Sequence, residues 1–354
     1  MTPIQKTLTR EEADAFGREL DALKEETRRD LGQRDVDHIR SMIRLVRVTE
    51  AGGRALLHFG VDPVSFGLGV AALATSKIFD NMEVGHNVMH GQYDWTRDPA
   101  LCARGYEWDT SCPAEDWRHS HNYEHHTFTN VLGRDRDIGY GLLRVTPEQR
   151  WHFGHLTQPV SAVILALNFQ WGVATHDLRI NETLEGRQSL AELRARSRPF
   201  LQKARWQLAK DYLFYPSLAL ANAPRVALGN WLANLGRNVW SFAIIFCGHF
   251  PDGVRVYSEE EVQHESRGEW YLRQLNGSAN IEGGRLLHLF SGHLSHQIEH
   301  HLFPDIPASR YPEMAPKVRE ICARYGQSYN TGSFGKQLAS VARKIVTYAL
   351  PVAA

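Results

Sequence analysis

The chain has 354 residues, and its 40 basic and 40 acidic side chains leave it with no formal net charge. This balance argues against a nucleic-acid-binding protein, which would carry a basic excess. The 4 cysteines are too far apart for a CxxC pair, which argues against a disulfide framework and a four-cysteine iron–sulfur motif. The mean hydropathy of −0.38 points away from a multi-span membrane protein, so a prediction of membrane helices must rest on local segments.

Residues 1–50 predict charged, amphipathic helices, and we treat them as a unit separate from residues 51–354. Thr9 and Glu12 have the spacing of a capping box, which marks the start of a helix. The apolar residues that follow have the spacing of one helix face: Phe16, Leu20 and Leu23. The chain begins without the basic start and apolar run of a secretory signal, so we expect no targeting peptide.

Four later stretches are apolar enough to predict membrane helices: residues 55–79, 151–176, 212–230 and 231–250. About 20 predominantly apolar residues suffice to cross the hydrocarbon core of a bilayer. The polar segments between and after these stretches would then form an aqueous-facing cap. We therefore expect an all-α integral membrane bundle of about four spans with a helical cap. The alternative is a set of buried core helices in a soluble helical protein.

Eight of the 18 histidines lie in three clusters, whose sequences are HNVMH, HNYEHH and HQIEHH. Histidines four residues apart share one face of a helix, so each pair offers two imidazoles to one metal ion. The adjacent histidine in the second and third clusters points elsewhere and can reach a neighbouring ion. The pattern therefore predicts a dinuclear cage, with these candidate ligands: His86, His90, His121, His125, His126, His296, His300 and His301. Isolated histidines, such as His38, His58 and His152, are expected to be ordinary surface or core residues.

Two of the clusters also match HxxEH, the signature of a zinc peptidase in which two histidines bind zinc and the glutamate acts as base. The glutamates in question are Glu124 and Glu299. A peptidase needs one such motif and one ion, whereas this chain has two copies, an additional histidine in each, and a separate HxxxH. We therefore favour the dinuclear centre and keep a zinc metallopeptidase as the alternative from a different class.

The three histidine clusters resemble the histidine boxes of the membrane fatty-acid desaturase family. Four longer stretches resemble bacterial acyl-CoA desaturases, the mycobacterial stearoyl-CoA Δ9 type above all: NMEVGHNVMHGQYDW, RNVWSFAIIFCGHFPDG, GEWYLRQLNGSAN and HQIEHHLFPDIPASRY. The similarity runs from about residue 10 to residue 350. The boxes are specific for the superfamily and less informative about the position of the double bond.

The resemblance implies four membrane helices with a cap on the cytoplasmic side, and two iron ions bound by histidines. It also implies a further ligand before the third box, a position that His249 matches. Where relatives have a histidine three residues before the histidine pair, this chain has Asn122 and Gln297. Both His296 and Gln297 are therefore candidate ligands, and we favour His296 because imidazole binds iron better than an amide does. A metal-bound water is expected on one of two asparagines, Asn276 or Asn280.

The implied activity is the O₂-dependent desaturation of a long-chain fatty acyl-CoA, with Δ9 as the favoured position. This activity belongs to lipid metabolism and unsaturated fatty acid biosynthesis. The alternatives are a Δ6-type or phospholipid-linked desaturase, or an alkyl hydroxylase with the same iron site. Because the chain has no motif of a fused electron carrier, we expect electrons from NADPH through a separate ferredoxin-type reductase.

Two further groups of side chains are expected to assist. Carboxylates near the boxes are candidates to orient the imidazoles through their second ring nitrogen: Glu83, Asp94, Glu124, Asp135, Asp137 and Glu299. Basic residues of the cap are candidates to dock the reductase or the phosphates of CoA: Arg134, Arg136, Arg310, Lys317 and Arg319.

Overall fold

The computed structural model describes residues 6–352, which are predominantly helical. The α-helices are α1 (Arg10–Arg29), α2 (Gln33–Phe59), α3 (Pro63–Ile78), α4 (His86–Met89), α5 (Ala114–Trp117), α6 (Gln158–Leu167), α7 (Phe169–His176), α8 (Ile180–Leu184), α9 (Leu190–Ala209), α10 (Tyr215–Leu218), α11 (Ala223–His249), α12 (Glu259–Val262), α13 (Arg267–Asn276), α14 (Arg285–Phe290), α15 (Gln297–Leu302), α16 (Tyr311–Arg324) and α17 (Phe334–Thr347). Two short parallel strands, β1 (Asn280–Glu282) and β2 (Thr331–Ser333), form a sheet. Residues 1–5 and 353–354, which belong to the two predicted units, lie outside the described residues. Helix α2 continues across residue 50, and the division there stays a prediction.

Helix α1 begins at the capping box that the sequence predicts. The backbone N–H of Glu12 donates to Thr9 Oγ1, and the backbone N–H of Thr9 donates to the Glu12 carboxylate. The apolar face of α1 packs against α13 and α16, and the predicted residues Phe16, Leu20 and Leu23 belong to the core cluster that these helices share. A buried ion pair joins the start of α2 to the segment after the third histidine cluster, with Arg310 Nε 2.5 Å from Asp35 Oδ1. The N-terminal helices are thereby fixed to the part of the chain that carries the third box.

Helices α2, α3 and α11 pack side by side. Leu57 and Leu73 meet Val226 in this contact, and Gly229 lets α11 approach so closely that a Cβ there would lie 2.7 Å from Leu57 Cδ2. Helix α3 leads into the turn before the first histidine box, and α11 ends at His249. The three helices therefore position two separate parts of the histidine-rich region.

The predicted membrane bundle is wrong, although the prediction of an all-helical protein is confirmed. Within residues 6–352, no helix combines the length and the apolar character that a bilayer crossing requires. The stretch 151–176 is divided between a 3₁₀ turn and the short helices α6 and α7, which are interrupted at Asn168. The stretches 212–230 and 231–250 are not two helices, because α11 runs unbroken across their junction and carries Arg225 and Arg237.

Several large apolar side chains remain exposed on the outer faces of these helices. Phe59, the last residue of α2, and Val61, in the turn before α3, are 83% and 88% exposed, and Leu220, just before α11, is 85% exposed. On α6, Val160 and Val163 are also more than half exposed. In the described part of the chain nothing covers this surface, and apolar surface of this kind commonly marks an interaction site.

The crossing of α1 and α13 generates a stability prediction. A Cβ on Gly268 would lie 2.0 Å from the carbonyl oxygen of Ala13, and backbone atoms cannot rotate away as a side chain can. We expect Gly268→Ala to lower the free energy of unfolding by about 3 kcal/mol, the upper end of the usual cost of overpacking. Denaturant unfolding of the purified protein measures this.

The matched control is Gly52→Ala, because a Cβ there meets nothing within 4 Å in the middle of α2. This variant should gain about 0.5–1 kcal/mol from the higher helix propensity of alanine. Equal stability of the two variants would contradict the close crossing of α1 and α13.

Candidate metal centre

The first two histidine boxes lie at π-helical turns rather than on regular α-helices. The turn Phe79–Gly85 leads directly into His86, and the turn Arg118–His125 contains two histidines of the second box. Such turns close hydrogen bonds from i to i+5 and are frequent at functional sites. The ring of His121 lies 5.0 Å from that of His125 and 4.9 Å from that of His126. The wider turn therefore brings all three imidazoles of this box to the same interior.

One group of imidazoles draws on all three boxes. The ligand atoms of four histidines lie within 4.8 Å of one another: His86, His90, His121 and His300. His86 Nε2 is 3.3 Å from His300 Nε2, although these residues are 214 positions apart in the chain. Four nitrogens from three segments thus surround one small volume.

A second group lies beside the first. The ligand atoms of His125, His126 and His301 are within 4.8 Å of one another, and the rings of His126 and His301 stack at 4.5 Å. His249, at the end of α11, has its ring 4.8 Å from that of His125 and 4.9 Å from that of His301. The structure therefore brings eight of the nine predicted histidines together as two adjacent groups.

The ring nitrogens of these histidines provide a test of whether metal ions fit. Buried nitrogens without a hydrogen-bond partner occur on six of the eight residues: His90, His121, His125, His126, His249 and His301. Leaving a buried polar atom unpaired costs about 1–3 kcal/mol, so such a concentration needs a partner. A metal ion accepts lone pairs from several imidazoles at once. The residues therefore fit two metal ions, one in each group.

The electrostatics of the two groups favour the uncharged, metal-binding form of imidazole. Burial, followed by the charge of neighbouring imidazoles, lowers the pKa well below its usual value at these positions: His86, His90, His126, His249, His300 and His301. His125 differs, because the carboxylate of Asp135 outweighs the effect of burial and raises its pKa. Neutral imidazole is the form that binds metals.

Two of the six candidate carboxylates orient box histidines. His125 Nδ1 is 3.0 Å from Asp135, and His121 Nδ1 is 3.5 Å from Asp137. A carboxylate that accepts the Nδ1–H leaves Nε2 free for a metal, and the Nε2 atoms of both histidines are indeed unpaired. The other four candidates contact different groups: Glu83, Asp94, Glu124 and Glu299.

Three supporting residues were missed by the sequence analysis. His301 Nδ1 lies 3.1 Å from Gln274 Oε1 and 3.2 Å from Thr129 Oγ1, which again leaves Nε2 as the free nitrogen. The hydroxyl of Tyr311 lies 3.5 Å from His300 Nδ1. Gln274 is 27 residues and Thr129 172 residues from His301, so no local spacing could have indicated them.

At the third box the structure places Gln297, and not the sequence-favoured His296, beside the imidazole groups. Gln297 Nε2 is 3.0 Å from His249 Nε2, and its Oε1 is buried without a partner. Gly248 makes room for this side chain, since a Cβ there would lie 2.9 Å from Gln297 Cγ. His296 precedes α15 with a non-helical backbone, and its ring lies 4.6 Å from that of His288, away from both groups.

The two asparagines proposed to hold a metal-bound water are engaged elsewhere. Asn280 Nδ2 donates to Glu299, and its Oδ1 accepts the backbone N–H of Ile298. Asn276 interacts with Tyr257. Asn122, at the position where relatives have histidine, donates through Nδ2 to the carbonyl of Met89.

The geometry does not support the zinc-peptidase alternative. Glu124 forms ion pairs with Arg136 and Arg179, and Glu299 accepts hydrogen bonds from Asn280 and Tyr329. Neither glutamate is positioned as a base beside an imidazole group. The repeated HxxEH pattern thus reflects two separate structural carboxylates.

A cavity adjoins the site. Site residues, including His121 and His249, line it together with apolar and aromatic side chains: Trp108, Trp117, Tyr140, Phe169, Ile245 and Phe250. Arg237 lines it as well, twelve residues before His249 on the same helix. Because a helix rises 1.5 Å per residue, the cavity follows α11 for about 18 Å.

Two of the five basic residues proposed for docking are committed to the fold. Arg310 is buried against Asp30 and Asp35, and Arg136 contacts Glu124 and the carbonyl of His176. The remaining three lie on the surface: Arg134, Lys317 and Arg319.

Comparison with known proteins gives consistent results along the chain. Residues 63–333 match the model of the family described as fatty acid desaturase. The chain is 43% identical over 348 residues to the NADPH-dependent stearoyl-CoA 9-desaturase of Mycobacterium tuberculosis. The aligned residues make up 97% of this chain and 82% of that protein. It is 27% identical over 272 residues to the sn-1 linoleoyl-lipid 6-desaturase of Synechocystis sp., 74% of each chain. Human fatty acid desaturase 3 is 40% identical over 137 residues, 39% of this chain and 28% of the human protein.

The alternative ligands of the third box generate a direct prediction. We expect Gln297→Ala to lower the metal content per chain, because it removes a buried oxygen beside His249. His296→Ala is the matched control and should retain the full metal content, since its ring contacts His288. Elemental analysis of both purified variants measures this. Loss of metal in His296→Ala with retention in Gln297→Ala would reverse the assignment.

Proposed function

Because the chain belongs to the fatty acid desaturase family, we propose that it inserts a Δ9 double bond into a long-chain fatty acyl-CoA, using O₂. The observation that carries the proposal is the pair of buried imidazole groups beside a long aromatic cavity. The acyl-CoA substrate and the Δ9 position are supported by the mycobacterial relative, whose name specifies both. The cyanobacterial relative, named as a lipid-linked 6-desaturase, supports a different position and head group at lower identity.

We propose that the two groups hold iron. With O₂, iron supplies a one-electron oxidant strong enough to remove hydrogen from an unactivated methylene, which no side chain can do. The protein's own part is to hold the imidazoles neutral and oriented. Asp135 and Asp137 accept the Nδ1–H of His125 and His121, and Gln274 does the same for His301.

Aromatic and aliphatic side chains form part of the cavity wall, which suits contact with an alkyl chain. Trp117 stacks on His121 at 4.4 Å, so this wall reaches the imidazoles themselves. Helix α11 carries both His249 and the cavity face that includes Ser241 and Ile245. One helix therefore sets the position of the bound alkyl chain relative to the imidazole groups.

Desaturation removes two hydrogen atoms from the substrate and reduces O₂ to two waters, which requires two further electrons and two protons. We propose that NADPH provides the electrons through a separate ferredoxin-type reductase. The NADPH dependence named for the mycobacterial relative supports this source. Of the basic residues considered for docking, Arg134, Lys317 and Arg319 are exposed, with Lys317 paired to Glu26 and Arg134 close to Glu259.

We also propose that the uncovered apolar side chains contact a lipid surface. Phe59, Val61 and Leu220 are each more than 80% exposed, and a lipid surface would remove them from water. In flotation with phospholipid vesicles, the protein should rise with the lipid. The double variant Phe59→Ser/Val61→Ser should float less, whereas Thr331→Ser should not differ. Equal flotation of all three proteins would contradict lipid contact through this surface.

The proposed activity is tested with purified protein, ferrous iron, NADPH, a ferredoxin-type reductase, O₂ and stearoyl-CoA. We expect a product that has lost two hydrogen atoms, with the double bond at carbon nine. His300→Ala should abolish product formation, because it removes a member of the first imidazole group. His264→Asn is the control, since His264 is exposed outside both groups.

A product that has gained one oxygen atom would show hydroxylation instead of desaturation. Product formation without O₂, or at full rate in His300→Ala, would contradict the proposed chemistry. A double bond at another carbon would be consistent with the proposed chemistry and would contradict only the proposed Δ9 position.

A further inference from the structure

A third histidine-containing cluster lies outside the two imidazole groups. Its members are His38 from α2, Glu83 from the turn before the first box, and His293 from the turn before α15. His38 Nε2 is 2.6 Å from Glu83 Oε1, and His293 Nδ1 is 3.0 Å from Glu83 Oε2. One ligand atom from each residue lies within 4.8 Å of the others. None of the three side chains lines the cavity that adjoins the imidazole groups.

The charge of Glu83 is compensated only by imidazoles. Its side chain is fully buried, and burial alone would raise its pKa, but the charge of His293 and hydrogen bonds from both histidines hold the pKa below its usual value. No lysine or arginine forms an ion pair with it among residues 6–352. A buried carboxylate needs a compensating positive charge. A divalent cation held by the same three side chains would supply one.

The backbone holds His293 in place against Glu83. Both Gly292 and His293 adopt positive φ values, +61° and +58°, and the left-handed region is costly for a residue with a side chain. A Cβ on Gly292 would lie 2.3 Å from the carbonyl oxygen of Met82, so the two backbones are in direct contact. Strained residues of this kind persist where the surroundings determine them, and they cluster at functional sites.

We propose that His38, Glu83 and His293 bind one divalent transition-metal ion of the zinc type, separately from the two imidazole groups. Two imidazoles and one carboxylate form a known zinc ligand set that leaves a fourth position open. The side chain of His38 is 25% exposed, which gives the ion an entry path and leaves the open position to solvent. On binding, a protonated imidazole releases to solvent the proton that it donates to Glu83 and becomes neutral, whereas a neutral imidazole carries its one proton on the other ring nitrogen; in both cases the freed lone pair bonds the metal.

The present nitrogen–oxygen separations are those of hydrogen bonds. Zinc bonds of about 2.0–2.1 Å in a tetrahedral arrangement would part the ligand atoms by several tenths of an ångström. His38, the partly exposed member, can make that movement. The bound ion would then tie α2 to the turns that precede the first and third boxes.

The test uses the full-length protein with iron already bound, equilibrated with micromolar free Zn²⁺ and analysed for both metals. We expect one zinc per chain in addition to the iron, and a higher midpoint of thermal unfolding. His293→Asn should lower the zinc affinity more than about a hundredfold, since loss of a partner outside the ligand set already costs 10–100-fold. Asparagine also tolerates the left-handed backbone at this position.

His38→Gln provides a second variant on the partly exposed helix α2, in case His293→Asn fails to fold, and it should lose zinc in the same way. The exposed His264→Asn is the control and should bind zinc like the parent. Iron content should be equal in all four proteins. Unchanged zinc binding in His38→Gln, or zinc that enters only as iron leaves, would overturn the proposal.

Discussion

The structure depends on burying eight imidazoles in one interior with their nitrogen lone pairs directed at one another. Six of these residues have a buried nitrogen without a hydrogen-bond partner, and burial together with mutual repulsion keeps most of them uncharged. An arrangement of this kind is costly without cations between the rings. The supporting carboxylates and amides therefore bond the nitrogens on the far side of the rings and leave the inner ones free.

The elements that carry these imidazoles are far apart in the sequence, so the remaining structure must hold them in fixed relative positions. The π-helical turns carry the first two boxes, and α11 ends at His249, whose ring lies beside those of His125 and His301. The ion pair of Arg310 with Asp35 and the close crossing of α1 with α13 join the N-terminal helices to the segments on either side of the third box. Because α11 also lines the cavity, a shift of that helix would move both His249 and the cavity wall that contacts the substrate.

Short sequence spacings predicted correctly those features that depend on residues close together in the chain. The capping box of Thr9 and Glu12 and the clustering of histidines follow from short spacings, and both appear in the structure. The membrane spans failed because hydropathy averages hide breaks such as Asn168 and charges such as Arg237. His296 stays a predicted ligand that the structure places beside His288, because the residue before α15 has a non-helical backbone, which spacing alone does not reveal. Gln274 and the cluster around Glu83 depend on contacts between distant segments, and only the folded chain brings these together.

The central claim is that the two imidazole groups form a dinuclear metal centre. Anomalous X-ray diffraction at the iron absorption edge, on crystals of the iron-loaded protein, tests it most directly. The account predicts two peaks, one among His86, His90, His121 and His300 and the other among His125, His126 and His301. A single peak shared by both groups, or peaks outside them, would contradict it.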